Sequence, residues 1–416
     1  FAGLCYAEMA SAVPVAGSAY TYAYATMGEF AAWIIGWDLV LEYAAGAATV
    51  GVGWSGHFVS LLGLFGIRIP ASLTAPPTQL CTMAQVTAHA VGCAHTGLNL
   101  TGAIINLPAV GIVALMSAVL VIGIKESARV NSLIVILKVG IVLLVVLVGL
   151  PHVRPANWTP FIPPNTGEWG SYGWSGVLRG AGLVFFSYIG FDTVSTAAQE
   201  SKNPQRDMPL GILGSLAICT LLYVVVSAVL VGMVPYGELN LPAPMAYAME
   251  RIGAPWWIRL AINLGAVLGV GSVILVMLLG QSRVFYSMSR DGLLGPWAGR
   301  VHPRFRTPYV STIYTGIAVC FATGLLPLQL LGTWVNIGTL LAFVLVCAGV
   351  WILRYTRPDL ERPFRAPLVP LVPLAGILSC LGLMLTLPLD TWVRLFVWLA
   401  FGLAVYFGYG RRHSVL

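Results

Sequence analysis

Long apolar stretches separated by short polar segments dominate the sequence. A short stretch over 1–12 is followed by longer ones at 30–63, 103–124, 131–150, 176–198, 210–233, 256–282, 310–326, 332–353, 368–388 and 391–409. About 20 apolar residues are enough for a helix to cross a bilayer. The pattern predicts an all-α integral membrane protein with ten complete spans after one partial span. We expect a single polytopic domain over residues 1–416, with no soluble domain.

The composition supports this prediction. The 416 residues are 58% hydrophobic and only 9% charged, whereas a soluble domain carries about 25% charged residues. The chain begins at Phe1, with no Met and no signal peptide, and its first apolar stretch is too short to span. We therefore expect that sequence upstream of Phe1 is missing.

The net charge of +7 raises the question of a nucleic-acid partner, but the basic residues follow the topology. Of the 22 Lys and Arg residues, 15 lie in alternate connections and six on the opposite side. The basic connections are 125–130, 199–209, 283–309, 354–367 and the tail 410–416. The positive-inside rule places these segments, including the C-terminal tail, in the cytoplasm. We expect a lipid bilayer around the protein and no nucleic-acid partner.

The cysteines give little indication of a cofactor. Cys81 and Cys93 share the long loop 64–102, which the charge pattern places outside. They form a disulfide if that compartment is oxidising, and the sequence leaves both states open. No Cys/His spacing typical of a metal site occurs, so we expect neither a metal nor an organic cofactor.

One predicted span, within 176–208, is unusual because glycines interrupt it and Asp192 lies near its middle. Arg179 lies 13 residues before this acid and Glu200 lies 8 after it, roughly 20 and 12 Å along a helix. An ionisable group at that depth is costly and suggests function. A helix broken at Gly190 beside a buried charge is typical of a transport site, since its unpaired backbone groups can bind an amino acid.

Few other charges lie at comparable depth. Asp38 and Glu42 are four residues apart and share a helix face, and Lys138 lies within an apolar stretch. Lys138 either reaches the membrane interface or points into a polar cavity. Asp192 either pairs with a neighbouring helix or serves transport, and Asp38 and Glu42 are alternatively structural partners. If Lys138 faced Asp192 or Glu42, the charges would neutralise one another and suit proton-linked transport.

Aromatic residues surround the predicted break. Phe185, Phe186, Tyr188 and Phe191 lie within seven positions of one another, next to Gly190. Aromatic side chains in membrane helices usually pack against neighbouring helices. Their place beside the break favours the interpretation that at least one of them gates a pocket.

These stretches resemble a known family. GFDTVSTAAQESKNPQRDMPLGIL (190–213) is similar to the sixth helix and following loop of the amino acid–polyamine–organocation (APC) superfamily, and closest to cationic amino acid transporters and their bacterial relatives. The segments 4–44, 125–140 and 282–295 support the likeness. The resemblance runs through nearly the whole chain and fails in the loop 64–102.

The resemblance implies the leucine-transporter-type fold, with two inverted five-helix repeats and two further helices. In that numbering, 1–12 is the end of helix 2, 131–150 is helix 5 and 176–198 is helix 6. Helix 1 and part of helix 2 would then be absent from the chain, which makes it N-terminally truncated. In this family helix 1 forms the substrate site together with helix 6.

The resemblance also assigns roles to the buried charges. Lys138 matches the helix 5 lysine that, in proton-coupled members, occupies the region where sodium binds in sodium-coupled relatives. Asp192 and Glu42 match acidic positions in helices 6 and 3 that take part in substrate or proton handling. We expect these three residues to carry ion or proton coupling.

The substrate site implied by the resemblance lies at the break. Phe186 matches an aromatic residue over the substrate, Ile189 matches a lining position, and Tyr43 lies beside Glu42. With the backbone of the break, the predicted substrate-binding residues are Phe186, Ser187, Ile189, Gly190 and Tyr43.

The sequence thus predicts a secondary active transporter and not an enzyme. We expect it to carry cationic or small neutral L-amino acids across the plasma membrane, or the inner membrane of a bacterium, by alternating access driven by a proton gradient. A small accessory membrane subunit is a possible partner. The alternatives are an integral membrane enzyme, for which no HExxH motif is present, and a transporter-like sensor or scaffold subunit without flux.

Overall fold

The computed structural model describes residues 1–13, 18–81, 97–123, 128–165, 167, 169–195, 201–239, 241 and 243–415. Its helices are α1 (Ala2–Ala12), α2 (Ser18–Met27), α3 (Glu29–Leu64), α4 (Leu107–Ile122), α5 (Ala128–Gly149), α6 (Gly173–Val184), α7 (Phe191–Val194), α8 (Pro204–Met233), α9 (Pro244–Arg251), α10 (Trp256–Arg290), α11 (Tyr309–Leu325), α12 (Leu328–Thr356), α13 (Leu371–Thr386), α14 (Leu389–Val405) and α15 (Arg411–His413).

The apolar stretches of the sequence become helices. Seven helical segments of the described chain are long and apolar enough to cross a membrane: Glu29–Leu64, Ser132–His152, Gly173–Val194, Pro204–Met233, Trp256–Arg290, Leu328–Thr356 and Leu389–His413. The helices α4, α11 and α13 are also apolar but have only 16 or 17 residues. These ten segments correspond to the ten predicted spans. The number of complete crossings stays a prediction.

The long helix α3 lies at the centre of the fold. It packs against α10 and α12 along much of its length, and also against α2, α4, α11 and α14. Side chains from α1, α2, α3, α10 and α12 form the main apolar core, in which Trp33, Tyr6 and Phe343 are among the largest fully buried residues. Close packing of this kind supplies much of the stability of a helical membrane bundle, because lipid is as apolar as the helix surface.

The segment between α1 and α3 contains the helix α2, which is not among the apolar stretches that the sequence predicts to be helices. Gly28 alone separates α2 from α3, with φ of 86°, a backbone conformation that favours glycine. The Tyr20 hydroxyl of α2 donates to the Asp291 carboxylate at 2.6 Å, directly after α10. Burial, followed by this hydrogen bond, raises the pKa of Tyr20. The apolar pattern missed α2 because this short helix is rich in tyrosine and alanine.

The loop 64–102, where the resemblance fails, contains a two-stranded antiparallel hairpin, so the all-α prediction misses this element. Strand β1 (Thr78–Cys81) pairs with β2 (Gly97–Leu100). Cys81 takes part in a disulfide, and Cys93, the partner that the sequence suggests for it, lies outside the described residues. The Asn106 amide then donates to Ser55 of α3 at 2.9 Å and anchors the start of α4.

A buried ion pair joins α1 to α12. The Glu8 carboxylate, 2% exposed, accepts from Nε and Nη2 of Arg354, both at 2.8 Å, and lies 3.4 Å from Arg362. The Ala366 N–H donates to the same carboxylate at 2.8 Å. Two parallel N–H···O bonds of this kind are among the strongest polar contacts in proteins. They fix the end of α1 against α12 and the segment that leads to α13.

Candidate functional site

The helix that contains the predicted break is interrupted where the sequence places the interruption. Helix α6 ends at Val184, a single 3₁₀ turn covers Phe185–Tyr188, and Ile189 is extended with ψ of 132°. Gly190 follows with φ of 126°, a conformation that L side chains rarely adopt, and α7 begins at Phe191. The prediction of a helix broken at Gly190 is confirmed.

Side chains of neighbouring helices stabilise the backbone at the break. The Tyr223 hydroxyl of α8 donates to the Ser187 carbonyl at 2.6 Å, and the Asn336 amide of α12 donates to the Leu183 carbonyl at 2.9 Å. A buried carbonyl without a partner is costly in a membrane. Side chains of α8 and α12 therefore stabilise the break by donating to its carbonyl groups.

Asp192 is buried at the start of α7, with 1% of its surface exposed. Its Oδ1 accepts from the Gly190 N–H at 3.0 Å, and its Oδ2 accepts from the Tyr43 hydroxyl of α3 at 3.3 Å. The Ser195 hydroxyl donates to the Asp192 main-chain carbonyl. The structure thus brings together Tyr43, Gly190 and Asp192, three of the residues predicted from the sequence to form the site.

Glu42 is also buried, with 1% of its surface exposed, and lies one position before Tyr43 on α3. Neither of its carboxylate oxygens has a hydrogen-bond partner among the residues that the structure describes. Thr339 of α12 lies close by, but its hydroxyl donates to the Val335 carbonyl at 3.0 Å. Glu42 and Asp192 are near enough to repel one another when both are charged.

Lys138 lies elsewhere. Its ammonium donates to the Ser272 hydroxyl of α10 at 2.8 Å, and its aliphatic chain lies against Gly269 of the same helix. Within the described ranges it forms no ion pair with Asp192 or Glu42. The pairing of opposite charges that the sequence left open is therefore not formed in this conformation. Lys138 of α5 faces α10, whereas the two acids lie where α3, α7 and α12 approach one another.

The aromatic residues at the break divide into two groups. Phe191 and Phe185 contact the Phe343 ring of α12 at centroid distances of 4.9 and 5.5 Å, and Tyr6 of α1 contacts Phe343 at 5.0 Å. Ile189 packs against the same core. Phe186 is half-buried outside this cluster, and Ser187 is exposed. Phe185 and Phe191 therefore join the break to the aromatic cluster around Phe343, whereas Phe186 does not.

A family model described as amino acid permease matches residues 1–407, nearly the whole chain. The chain belongs to the amino acid permease family. The implied membership of the APC superfamily is thereby confirmed. This permease is a mostly helical, multi-pass membrane protein.

The relatives of this permease are named transporters. It is 46% identical to the branched-chain amino acid permease BcaP of Bacillus subtilis (strain 168), over the whole of this chain and 84% of the relative. It is 42% identical to the methylthioribose transporter of the same organism, with the same coverage of both chains. It is 36% identical to the vacuolar cationic amino acid transporter 4 of Arabidopsis thaliana, over 85% of this chain and 55% of the relative. These names agree with the prediction of a non-enzyme and give no support to the membrane-enzyme alternative.

Sequence reasoning missed two residues that the fold places beside the break of this permease. Tyr6 is fully buried, and its hydroxyl has no partner among the described residues. Phe343 supplies the ring on which the aromatic cluster is built. Neither carries a signal in the sequence, because an aromatic residue in an apolar helix looks the same whether it lines a site or fills a core. Tyr6 and Phe343 lie beside the break because α1 and α12 approach α7 in the folded structure.

Proposed function

We propose that this permease is a proton-coupled secondary transporter of neutral aliphatic amino acids. The observation that carries the proposal is the break between Val184 and Phe191. There, a short turn, an extended residue and Gly190 replace continuous helix beside a buried carboxylate. Interrupted helices of this kind offer backbone N–H and C=O groups to the ammonium and carboxylate of a bound amino acid. The family membership supports amino acids as the class of substrate.

The proposed substrate site comprises the turn residues and their neighbours. The Ile189 and Gly190 backbone would bind the polar end of the substrate, with Tyr43, Phe186 and Ser187 around it. We further propose the leucine-transporter-type arrangement of two inverted five-helix repeats, with α13 and α14 as the two additional helices. Rocking of one helix group against another would then give alternating access to the break.

The surroundings of the break favour a neutral side chain. Phe185, Ile189, Phe191 and Phe343 are apolar and pack together. The Asp192 carboxylate already accepts hydrogen bonds from Gly190 and Tyr43. Glu42 beside it is assigned to proton coupling, so we propose that neither acid pairs with a cationic side chain. An unpaired positive charge in such surroundings would be costly. The relative named for branched-chain amino acids, at 46% identity, points in the same direction.

Proton coupling is assigned to Lys138, Asp192 and Glu42, with the proton gradient as the driving force. The Lys138 ammonium lies between α5 and α10, held by one neutral hydroxyl. The ammonium is the protonated, charged form of Lys138, and it can lose a proton to water and regain one as the helices move. We further propose that the permease lies in the plasma membrane. The distribution of Lys and Arg favours a C-terminal tail in the cytoplasm.

Uptake by the full-length permease in proteoliposomes tests this function. We expect leucine, isoleucine and valine to accumulate when the outside is acidic, and arginine to be taken up at least about tenfold less, which corresponds to about 1.4 kcal/mol. A protonophore should abolish accumulation, while counterflow without a gradient continues. Lys138→Ala should lose accumulation, and Lys202→Ala, an exposed loop lysine, should behave as wild type. Wild-type accumulation by Lys138→Ala would remove the role assigned to Lys138.

A second candidate substrate is methylthioribose, because a relative named for its transport is 42% identical over the whole chain. Like a branched-chain amino acid, this molecule has an apolar end, but it lacks an ammonium and a carboxylate. Competition distinguishes the two: excess methylthioribose should leave leucine uptake unchanged. Inhibition by methylthioribose together with saturable methylthioribose uptake would favour the second candidate. Binding of either compound without flux would indicate a sensor.

A further inference from the structure

Asp38 is a buried acid for which the function described above has no use. It lies on α3 one turn before Glu42, with 1% of its surface exposed. Both of its carboxylate oxygens are buried, and neither has a hydrogen-bond partner in the part of the chain that the structure describes. Buried polar groups nearly always have a partner, so each exception needs a physical cause.

The Asp38 carboxyl group lies directly against the backbone of α12. A Cβ atom built on Gly338 would be 2.7 Å from Oδ1 and 3.2 Å from Oδ2 of Asp38. Gly338 is therefore the residue that makes room for this side chain. The carboxyl group is enclosed between two helices with no space for a hydration shell on the α12 side.

No positive charge compensates Asp38 within the described ranges. The helices packed against α3 are α2, α4, α10, α11, α12 and α14. Their arginines have contacts of their own: Arg354 with Glu8, Arg394 with Asp390, Arg259 with Glu250, Arg290 with Tyr286, and Arg283 with a further interaction. Their other titratable groups, apart from Asp390, are Tyr20, Tyr22, Tyr24, Tyr286, Tyr309, Tyr314, Cys320, Cys347 and Tyr355. Tyrosines and cysteines carry no positive charge in any protonation state.

The acids nearest to Asp38 make its ionisation more costly. Glu42 lies on the same face of α3, and Asp192 lies close to Glu42. Burial of an unpaired carboxylate is costly, and a like charge one turn away adds to this cost. A neutral carboxylic acid avoids both costs.

We propose that Asp38 is an additional proton-binding site of the permease, separate from Lys138, Asp192 and Glu42 and occupied in this conformation. The inference rests on the proposed proton-coupled function and deepens it. When α3 and α12 separate during transport, water reaches the carboxyl group, its O–H bond breaks, and the proton leaves to water while the electron pair stays on the carboxylate. Renewed contact with Gly338 requires that a proton be bound again.

A structural anchor and a metal-ion ligand are roles that fit the geometry of Asp38 less well. A structural anchor would have partners, and Asp38 has none among the described residues. A multivalent ion would need further ligands, and the described side chains contain no group of three or more His, Cys, Asp or Glu that could hold a metal. A proton needs no additional ligand.

The test uses full-length wild-type permease and Asp38→Asn, which resembles the protonated acid in shape and charge. Asp390→Asn is the matched control, because it removes a carboxylate that is half exposed and paired with Arg394. In proteoliposomes we expect Asp38→Asn to retain leucine counterflow within about twofold. Proton uptake per leucine, followed with a pH-sensitive dye, should fall by about one proton, as linkage requires for one lost site. Asp390→Asn should keep the wild-type ratio.

An unchanged proton ratio and pH profile in Asp38→Asn would overturn the inference, and so would loss of counterflow in a folded protein. If Asp38→Asn does not fold, infrared difference spectra of the wild type, recorded as leucine is added, test the inference instead. They detect the carbonyl band of a carboxylic acid that gains or loses its proton. Asp38→Glu keeps the acid and should shift the carboxylic-acid carbonyl band, and absence of any such band would contradict a bound proton. Absence of counterflow in the wild type would instead contradict the proposed transport function.

Discussion

The Trp37 and Trp398 indoles form a reciprocal pair of hydrogen bonds between α3 and α14. The Trp37 Nε1–H donates to the Trp398 carbonyl at 2.9 Å, and the Trp398 Nε1–H donates to the Trp37 carbonyl at 3.0 Å. The two rings are stacked, with centroids 4.8 Å apart. Trp33, one turn earlier, donates to the Gly402 carbonyl in the same interface. These contacts attach α14 to the central helix of the permease.

We expect Trp398→Phe to lower the free energy of unfolding by about 1–2 kcal/mol, since one hydrogen bond and part of the stacking are lost. Thermal unfolding in detergent measures this effect. Trp256→Phe is the control, because Trp256 is 64% exposed at the start of α10. Leucine counterflow by the folded Trp398→Phe variant should stay close to wild type, because the interface does not include the break. An equal loss of stability in both variants would show that the Trp37–Trp398 contact makes no specific contribution to the free energy of unfolding.

Gly190→Ala tests the backbone conformation of the break. A Cβ at Gly190 would meet no atom within 4 Å, so the whole effect comes from φ of 126°. Strain of this kind costs about 1–3 kcal/mol. We expect the substitution to raise the leucine concentration needed for half-maximal counterflow, because the backbone groups that we propose bind the substrate must shift.

Gly180→Ala is the matched control for that substitution. Gly180 also has open space around its Cα, but it lies inside the regular helix α6. Alanine is the better helix former, so counterflow should be unchanged or slightly better. If both variants lost affinity equally, the effect would not be specific to the break.

Gly269→Ala tests the position of the Lys138 ammonium without changing any charge. A Cβ at Gly269 would lie 3.1 Å from Cε and Cγ of Lys138, which must then move away from α10. We expect the bond to Ser272 to lengthen and proton-driven accumulation of leucine to fall more than counterflow does. Gly140→Ala on α5 is the control, because nothing lies within 4 Å of its Cβ position. Equal leucine accumulation by both variants would show that the position of the Lys138 ammonium does not affect proton coupling.

Glu8→Gln tests the ion pair that joins α1 to α12. Removal of one partner leaves the Arg354 and Arg362 guanidinium groups without their carboxylate, at a cost of about 3–5 kcal/mol when the pair is buried. Because Arg354 is 22% exposed, the lower end of that range is expected. Asp390→Asn removes the exposed pair with Arg394 and should cost no more than about 1 kcal/mol. Thermal unfolding of the two variants side by side distinguishes the pairs, and similar losses would contradict the special position of Glu8.

Much of the fold could be predicted because a membrane permits few solutions for the backbone. Apart from the interrupted stretch 176–198, each predicted apolar stretch is mainly helical in the structure, since buried N–H and C=O groups in lipid must be paired within the segment. The break at Gly190 could be predicted because glycines and the acid Asp192 interrupt an otherwise apolar span. The helix α2 and the strand pair β1–β2 were not predicted, because both lie in segments where apolar length gives no signal.

The site could be predicted only in part. Local neighbours on one helix turn, such as Glu42 and Tyr43 or Gly190 and Asp192, keep their proximity in any fold. The partners of those residues come from elsewhere in the chain. Tyr223 and Asn336 pair with the backbone of the break, and no property of either residue in the sequence indicates it.

The resemblance to a known family identified this chain as a permease. The sequence by itself determined that it is a helical membrane protein and that four ionisable groups, Asp38, Glu42, Lys138 and Asp192, lie within its apolar stretches. Local periodicity and the cost of burying charge are enough for that. The tertiary structure decided which of these groups meet. Tyr43 donates to Asp192, Lys138 turns to Ser272, and Asp38 lies against Gly338 without a partner among the described residues. Contacts between helices depend on how their surfaces fit together in three dimensions, and no single stretch of sequence contains that information.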